Sequence, residues 1–249
     1  MRGKVIVAGH SKWANIKHRK GAQDAKRGKI FTKIINEITV AARLGGGDLD
    51  ANPRLRKAVS NARSKNMPQD NILRAIKKGT GELEGVNYEE MIYEGYGPSG
   101  IAIYMEVITD NKNRTVSELR HILNKNNGSL AEPGSVSWIF KRIGIIIVKV
   151  TDFDEEKLLQ DILESGAEDF EVVENDVFIS TDQSQLMVVK DNLDNLSYNV
   201  KSSDLIMTPN SSQFVNPDNQ DKVLNLMDII GNHDDVTQVF SNFSFNKDN

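Results

Sequence analysis

Nineteen of the chain's 31 Lys and Arg fall within its first 78 residues, where only five of its 35 Asp and Glu occur. Residues 79–249 keep the other 12 basic side chains against 30 acidic ones, so a segment of net +14 precedes a body of net −18. This imbalance limits what the first segment can fold into. Cations at such density repel one another and are costly to bury, so they must stay on solvent faces around a narrow apolar core. A polyanion is the commonest agent that offsets them, which points to a nucleic-acid-binding module on an acidic scaffold.

The apolar pattern agrees with a small bundle. Met1 to about Lys29 is basic and lacks apolar periodicity, so it reads as an extended arm anchored by Trp13 and Ile16. From Ile30 onward Phe31, Ile34, Ile35, Ile38 and Ala42 recur at spacings of three and four, one stripe of a helix. Lys29, Lys33, Asn36 and Arg43 lie off that stripe, and Gly45-Gly46-Gly47 ends it. Asn52-Pro53 starts a second helix with Leu55, Val59 and Ala62 inward. Pro68 opens a third, with Ile72, Ala75 and Ile76 inward and a basic end at Lys77-Lys78-Gly79.

After Gly79 the periodicity changes. Tyr88–Tyr96 and Ile101–Thr109 read as a hairpin, and Asn111–Asn126 as a helix, while Ser129–Phe140 reads as irregular. A strand at Gly144–Val150, a helix with Leu158, Leu159 and Ile162, and strands near Phe170–Val173 and Asp176–Ser180 follow. Then come a helix at about Gln183–Asn192 and a strand near Tyr198–Ile206, which completes the β-α-β-β-α-β order of a ferredoxin-like unit. The hairpin and helix at 86–126 lack a second helix and a fourth strand. A helix near Asp218–Ile230 and a strand near Val236–Phe240 can supply both. The predicted fold is therefore α+β with three domains. Residues 1–79 form a basic arm and helical bundle, and 80–132 plus 207–245 an α/β domain. Residues 133–206 form a ferredoxin-like α/β domain inserted into the second.

Several function classes are disfavoured. The chain has no cysteine, so it holds neither disulfides nor thiolate metal sites, which fits a cytoplasmic protein. No run approaches the ~18 apolar residues of a membrane span. His10, His18, His121 and His233 match no helical zinc pair, so no metal or other cofactor is expected. The glycines at 45–47 follow a helix and precede no Gly-Lys-Ser/Thr, which argues against a nucleotide-binding loop. No nucleophile–base–acid set stands out, and no enzymatic role is expected.

The candidate binding residues are the cations of the basic segment. Lys12, Lys17, Arg19, Lys20, Lys26, Arg27, Lys29 and Lys33 fall within 22 residues interrupted only by Asp24, whereas a merely solvated helix face mixes its signs. Arg54, Arg56, Lys57, Arg63, Lys65, Arg74, Lys77 and Lys78 extend the set over the second and third helices. Such side chains meet phosphates, which gives affinity without base choice. Trp13 either stacks on a base or, more in keeping with a lone Trp, pins the arm to a core.

The same residues carry a family resemblance. AGHSKWANIKHRKGAQDAKRGKIFTKI at 8–34, GGGDLDANPRLRKAV at 45–59 and NMPQDNILRAIKKGTGE at 66–82 closely resemble the YebC/PmpR family of bacterial regulators. That family includes the mitochondrial translational activator of cytochrome c oxidase. YEGYGPSGIAI at 93–103 and NRTVSELRHIL at 113–123 extend the match, so the resemblance covers roughly residues 8–245. It implies three domains with the last inserted in the second, no catalytic residues, and DNA binding as a transcriptional regulator. For some members it implies instead a ribosome-associated translation factor that binds ribosomal RNA and relieves stalling at proline-rich stretches. Charge alone does not separate these targets, since both are phosphate polymers, and it leaves oligomeric state open. Met1 to Val7 precede the family's usual opening block and are assigned no role.

Overall fold

The structure, a computed structural model, describes residues 27–150, 154–173 and 175–245. Its helices and strands run α1 (Arg27–Gly45), α2 (Pro53–Ser64), α3 (Gln69–Gly79), β1 (Glu89–Tyr96), β2 (Ala102–Thr109), α4 (Lys112–Lys125) and β3 (Ser129–Ala131). Then follow β4 (Phe140–Lys149), α5 (Glu155–Glu164), β5 (Asp169–Val173), β6 (Asp176–Asp182), α6 (Leu186–Asn195) and β7 (Asn199–Pro209). The chain closes with β8 (Gln213–Phe214), α7 (Pro217–Gly231), β9 (Val236–Ser241) and β10 (Phe243–Ser244). Contacts group the described residues into two compact units, 27–137 with 215–241 and 138–214 with 242–245.

In the first unit, α1 to α3 bury Ile34, Ile38, Leu55, Val59, Ala62 and Ile72 in one apolar core. Asn52 sets the entry to α2. Its Oδ1 accepts the Leu55 N–H at 3.0 Å, while its Nδ2 donates to the carbonyls of Ala41 and Gly46 at 2.8 Å each. One side chain thus caps α2 and ties it to the end of α1. The approach demands glycine at position 45, where an added Cβ would sit 2.6 Å from Asn52 Nδ2. Gly79 plays the same part at the end of α3, 2.4 Å from the Thr39 carbonyl in Cβ terms.

The single apolar stripe expected of α1 is incomplete. Lys29, Lys33, Asn36 and Val40, spaced by four, three and four, form a second face, on which Asn36 is 3% and Val40 0% exposed. Lys29 and Lys33 reach from this face to the end of α7. A helix used by two partners hides its second face from a one-stripe reading, because that face carries polar residues.

The same unit contains a four-stranded antiparallel sheet in the order β3-β1-β2-β9. β9 lies against β2, with Tyr104 opposite Phe240, so the last part of the chain completes the sheet begun by the hairpin. α7 buries Val223, Leu226 and Ile230. Within the stretch expected to be irregular, β3 pairs Leu130 with Gly95. Three residues are too short to show a period-two pattern, and this strand owes its existence to the β1 edge.

The second unit has the expected β-α-β-β-α-β order, with antiparallel strands arranged β5-β6-β4-β7. Ile146 and Val148 of β4 and Val177 and Ile179 of β6 share a core with Leu158 and Ile162 of α5 and Val189 and Leu193 of α6. Both helices therefore cover one face. β10 pairs in parallel with β8, and Phe243 stacks on Phe245 at 4.9 Å.

Candidate nucleic-acid interface

Of the sixteen candidate cations, Lys12, Lys17, Arg19, Lys20 and Lys26 lie outside the described residues, as do Trp13, His10 and His18, and Arg27 is the first residue of α1. The remaining ten divide into two groups by what surrounds them.

Some are engaged inside the protein. Lys29 Nζ donates to the Asn232 carbonyl at 2.9 Å and lies 3.4 Å from Asp234. Lys33 donates to the Gly231 carbonyl at the end of α7. Burial lowers its ammonium to about 8, only partly opposed by nearby Asp234. Both contacts exploit the partial negative charge of a helix C-terminus. Arg54 forks onto two carboxylates, with Nε 2.7 Å from Glu37 Oε1 and Nη2 2.6 Å from Glu90 Oε1. Its hydrogen bonds to Glu37 and Glu90 hold the guanidinium above its ordinary value, and the Arg54 bond holds Glu90 below its own. Arg56 donates to the carbonyls of Leu49 and Asp50, fixing the loop before α2. Sequence spacing gave no sign of Glu37 and Glu90 as partners, because they are 17 and 36 residues from Arg54.

The others face solvent. Lys57, Arg63 and Lys65 are exposed on and just after α2, and Arg74, Lys77 and Lys78 on α3. Among the described residues no carboxylate forms an ion pair with Arg63, Arg74, Lys77 or Lys78. On α3, Arg74, Lys77 and Lys78 occupy the surface away from Ile72 and Ala75. A run of exposed, unneutralised cations on neighbouring short helices can accept a phosphate backbone without first breaking internal pairs.

A second polar cluster lies where α7 turns into β9. Glu118, His233 and Asp235 bring three potential ligand atoms within 4.8 Å of one another. Their hydrogen bonds oppose metal binding. The Asp235 N–H donates to His233 Nδ1 at 3.1 Å, so a neutral ring carries its proton on Nε2, which lies 2.9 Å from Glu118 Oε2 and has no lone pair to give. Asp235 Oδ2 accepts from Thr115 at 2.6 Å and Arg114 at 2.8 Å. Burial raises the Asp235 carboxyl, but those two bonds together with the nearby Arg114 charge leave it below its ordinary value. The cluster ties α4 and β2 to the loop before β9.

The fold and this surface define a modular α+β protein: a cationic helical bundle joined to two four-stranded antiparallel sheets. Comparison with known proteins narrows the class. Residues 11–82 match the family described as "TACO1/YebC protein N-terminal domain", and residues 88–243 match "TACO1/YebC second and third domain". A "Probable transcriptional regulatory protein" of Halothermothrix orenii is 53% identical over 242 residues, covering 95% of each chain. One of the same name from Thermotoga petrophila is 52% identical over 240 residues, 95% of this chain and 94% of that one. The crystal structure of the conserved hypothetical protein Aq1575 from Aquifex aeolicus superposes with a TM-score of 0.83 at 45% identity, over 95% of this chain and 98% of that one. The chain belongs to the TACO1/YebC family.

Proposed function

We propose that this protein is a cytoplasmic, non-enzymatic regulator that binds nucleic acid, with DNA as its target in transcriptional control. The observation that carries the reading is the exposed cationic surface of α2 and α3, where Arg63, Arg74, Lys77 and Lys78 have no internal counter-charge among the described residues. The names of the relatives support the regulatory part. In this reading residues 1–79 act as the binding domain, and the domains at 80–132 with 207–245 and at 133–206 act as scaffold. The basic arm, Lys12 to Arg27, adds phosphate contacts to those of the bundle. Lys57 and Lys65 belong to the same surface, while Lys29, Lys33, Arg54 and Arg56 chiefly hold the bundle in shape.

Binding of a fluorescent DNA duplex measured across salt concentrations tests the proposal. Each phosphate contact contributes a slope of about −0.9 in log K against log salt. Replacing Arg63, Arg74, Lys77 and Lys78 by Ala should flatten the slope by up to about 3.6 and weaken binding to all sequences alike. Unchanged affinity and slope would refute the assignment of this surface. A strong preference for ribosomal RNA hairpins over the duplex would reassign the target from DNA to the ribosome.

A further inference from the structure

Independently of the nucleic-acid surface, we infer that the helical layer of the second unit is a docking site for a basic amphipathic helix of a partner protein. Two properties coincide there. On the two helices and their caps, 154–165 and 185–196, seven Asp and Glu stand against two Lys, the opposite of the balance on α2 and α3. One of those lysines, Lys190, is taken by Asp194. Large apolar side chains are also exposed on this layer: Leu159 and Leu163 (59% exposed) one turn apart on α5, Met187 (57%) and Val188 on α6, and Leu196 at its end.

The ends of the two helices add direction to the site. The Asn192 amide donates to the Ser165 carbonyl at 3.1 Å, which brings the end of α5 against α6. A shallow cleft lies there, lined by Glu164, Ser165, Asn192, Asn195 and Leu196. Neither helix carries a basic residue in its last turn, so no cation of its own offsets the partial negative charge of its carbonyl end. Cations are favoured at such ends and phosphates are repelled, which excludes a nucleic acid as occupant. Charge alone would suit any polycation. The exposed leucines and the methionine require in addition an apolar face, and one helix presenting Lys or Arg beside Leu satisfies both.

Titration calorimetry on the full-length protein tests this with two synthetic peptides of about 18 residues, long enough to form a helix. One carries Leu on one face and Lys on the other; the control has Gln in place of Leu. The first should bind, and the control should bind at least about tenfold more weakly, as loss of an interface's apolar anchors requires. Leu163→Glu combined with Leu196→Glu, and separately Val188→Glu, should each cut binding of the first peptide by a similar factor. These side chains are exposed, so the variants should keep the wild-type melting temperature. Equal binding of the two peptides, or variants that bind as wild type does, would overturn the inference.

Discussion

Glu94 shows how one side chain can hold a connection in place. It is 4% exposed on β1, and its carboxylate accepts backbone N–H groups from Gly134 at 2.8 Å, Val136 at 2.5 Å and Ser137 at 3.0 Å. Burial pushes its carboxyl up, but the three N–H donors outweigh that and leave it below its ordinary value of 4.5. A carboxyl lowered on folding stabilises the native state above the unfolded value, and that contribution disappears as pH falls through the folded value. Hydrogen bonds to a charged acceptor contribute about 1.5–3 kcal/mol, so Glu94→Gln should destabilise by about 2 kcal/mol at neutral pH. Denaturant melts from pH 7 down to 3 should show wild type and variant converging below about 4.5. A constant gap across that range would show that the effect is steric. Nothing local to Tyr93-Glu94-Gly95 signals this role, because the donors come from residues 40 to 43 positions away.

Among the elements, α1 departs most from its sequence reading. Its apolar stripe was legible, as were the Asn52 cap of α2 and the glycine end of α3. The Lys29–Lys33–Asn36–Val40 face was not, since a polar face that docks on helix-end carbonyls looks like one that meets water. Lys33 offers a test of that docking. Its amine is lowered to about 8 from an ordinary 10.5, chiefly by burial. Between those values the unfolded chain binds more protons than the native one, so native stability gains as pH rises from 8 to 10.5. Lys33→Met should remove this gain. The melting temperature of wild type relative to the variant should climb over pH 8 to 10, and parallel curves would place the amine in water. β3 fits the same account: residues 129–131 form a strand because the edge of β1 accepts them, not because their own pattern demands it.

For the whole molecule, the decisive feature is that the chain leaves its first sheet after β3 at Ala131 and returns at Val236 to finish it. The hairpin's missing strand and helix were legible as a deficit, and α7 and β9 fill it. β9 supplies the neighbour of β2, and α7 buries Val223, Leu226 and Ile230. A chain ending at Phe214 would expose both the β2 edge and the apolar surface under α7. It should aggregate or melt without a cooperative transition by circular dichroism, and retention of a sharp wild-type melt would contradict the interdependence.

The sequence by itself determined the partition of charge, the run of helices in the basic segment and the element order of the two sheets apart from β3. These follow from local spacing and composition, which short-range sterics and burial translate directly into helices and strands. Only the tertiary structure decided which cations remain available. Arg54 and Lys33, like Arg63 and Lys77, are cations off the apolar stripes of their helices, yet Glu37, Glu90 and the end of α7 engage the first pair and leave the second exposed. Those partners are 17 to 198 residues distant, and Coulomb interactions depend on separation in space rather than along the chain.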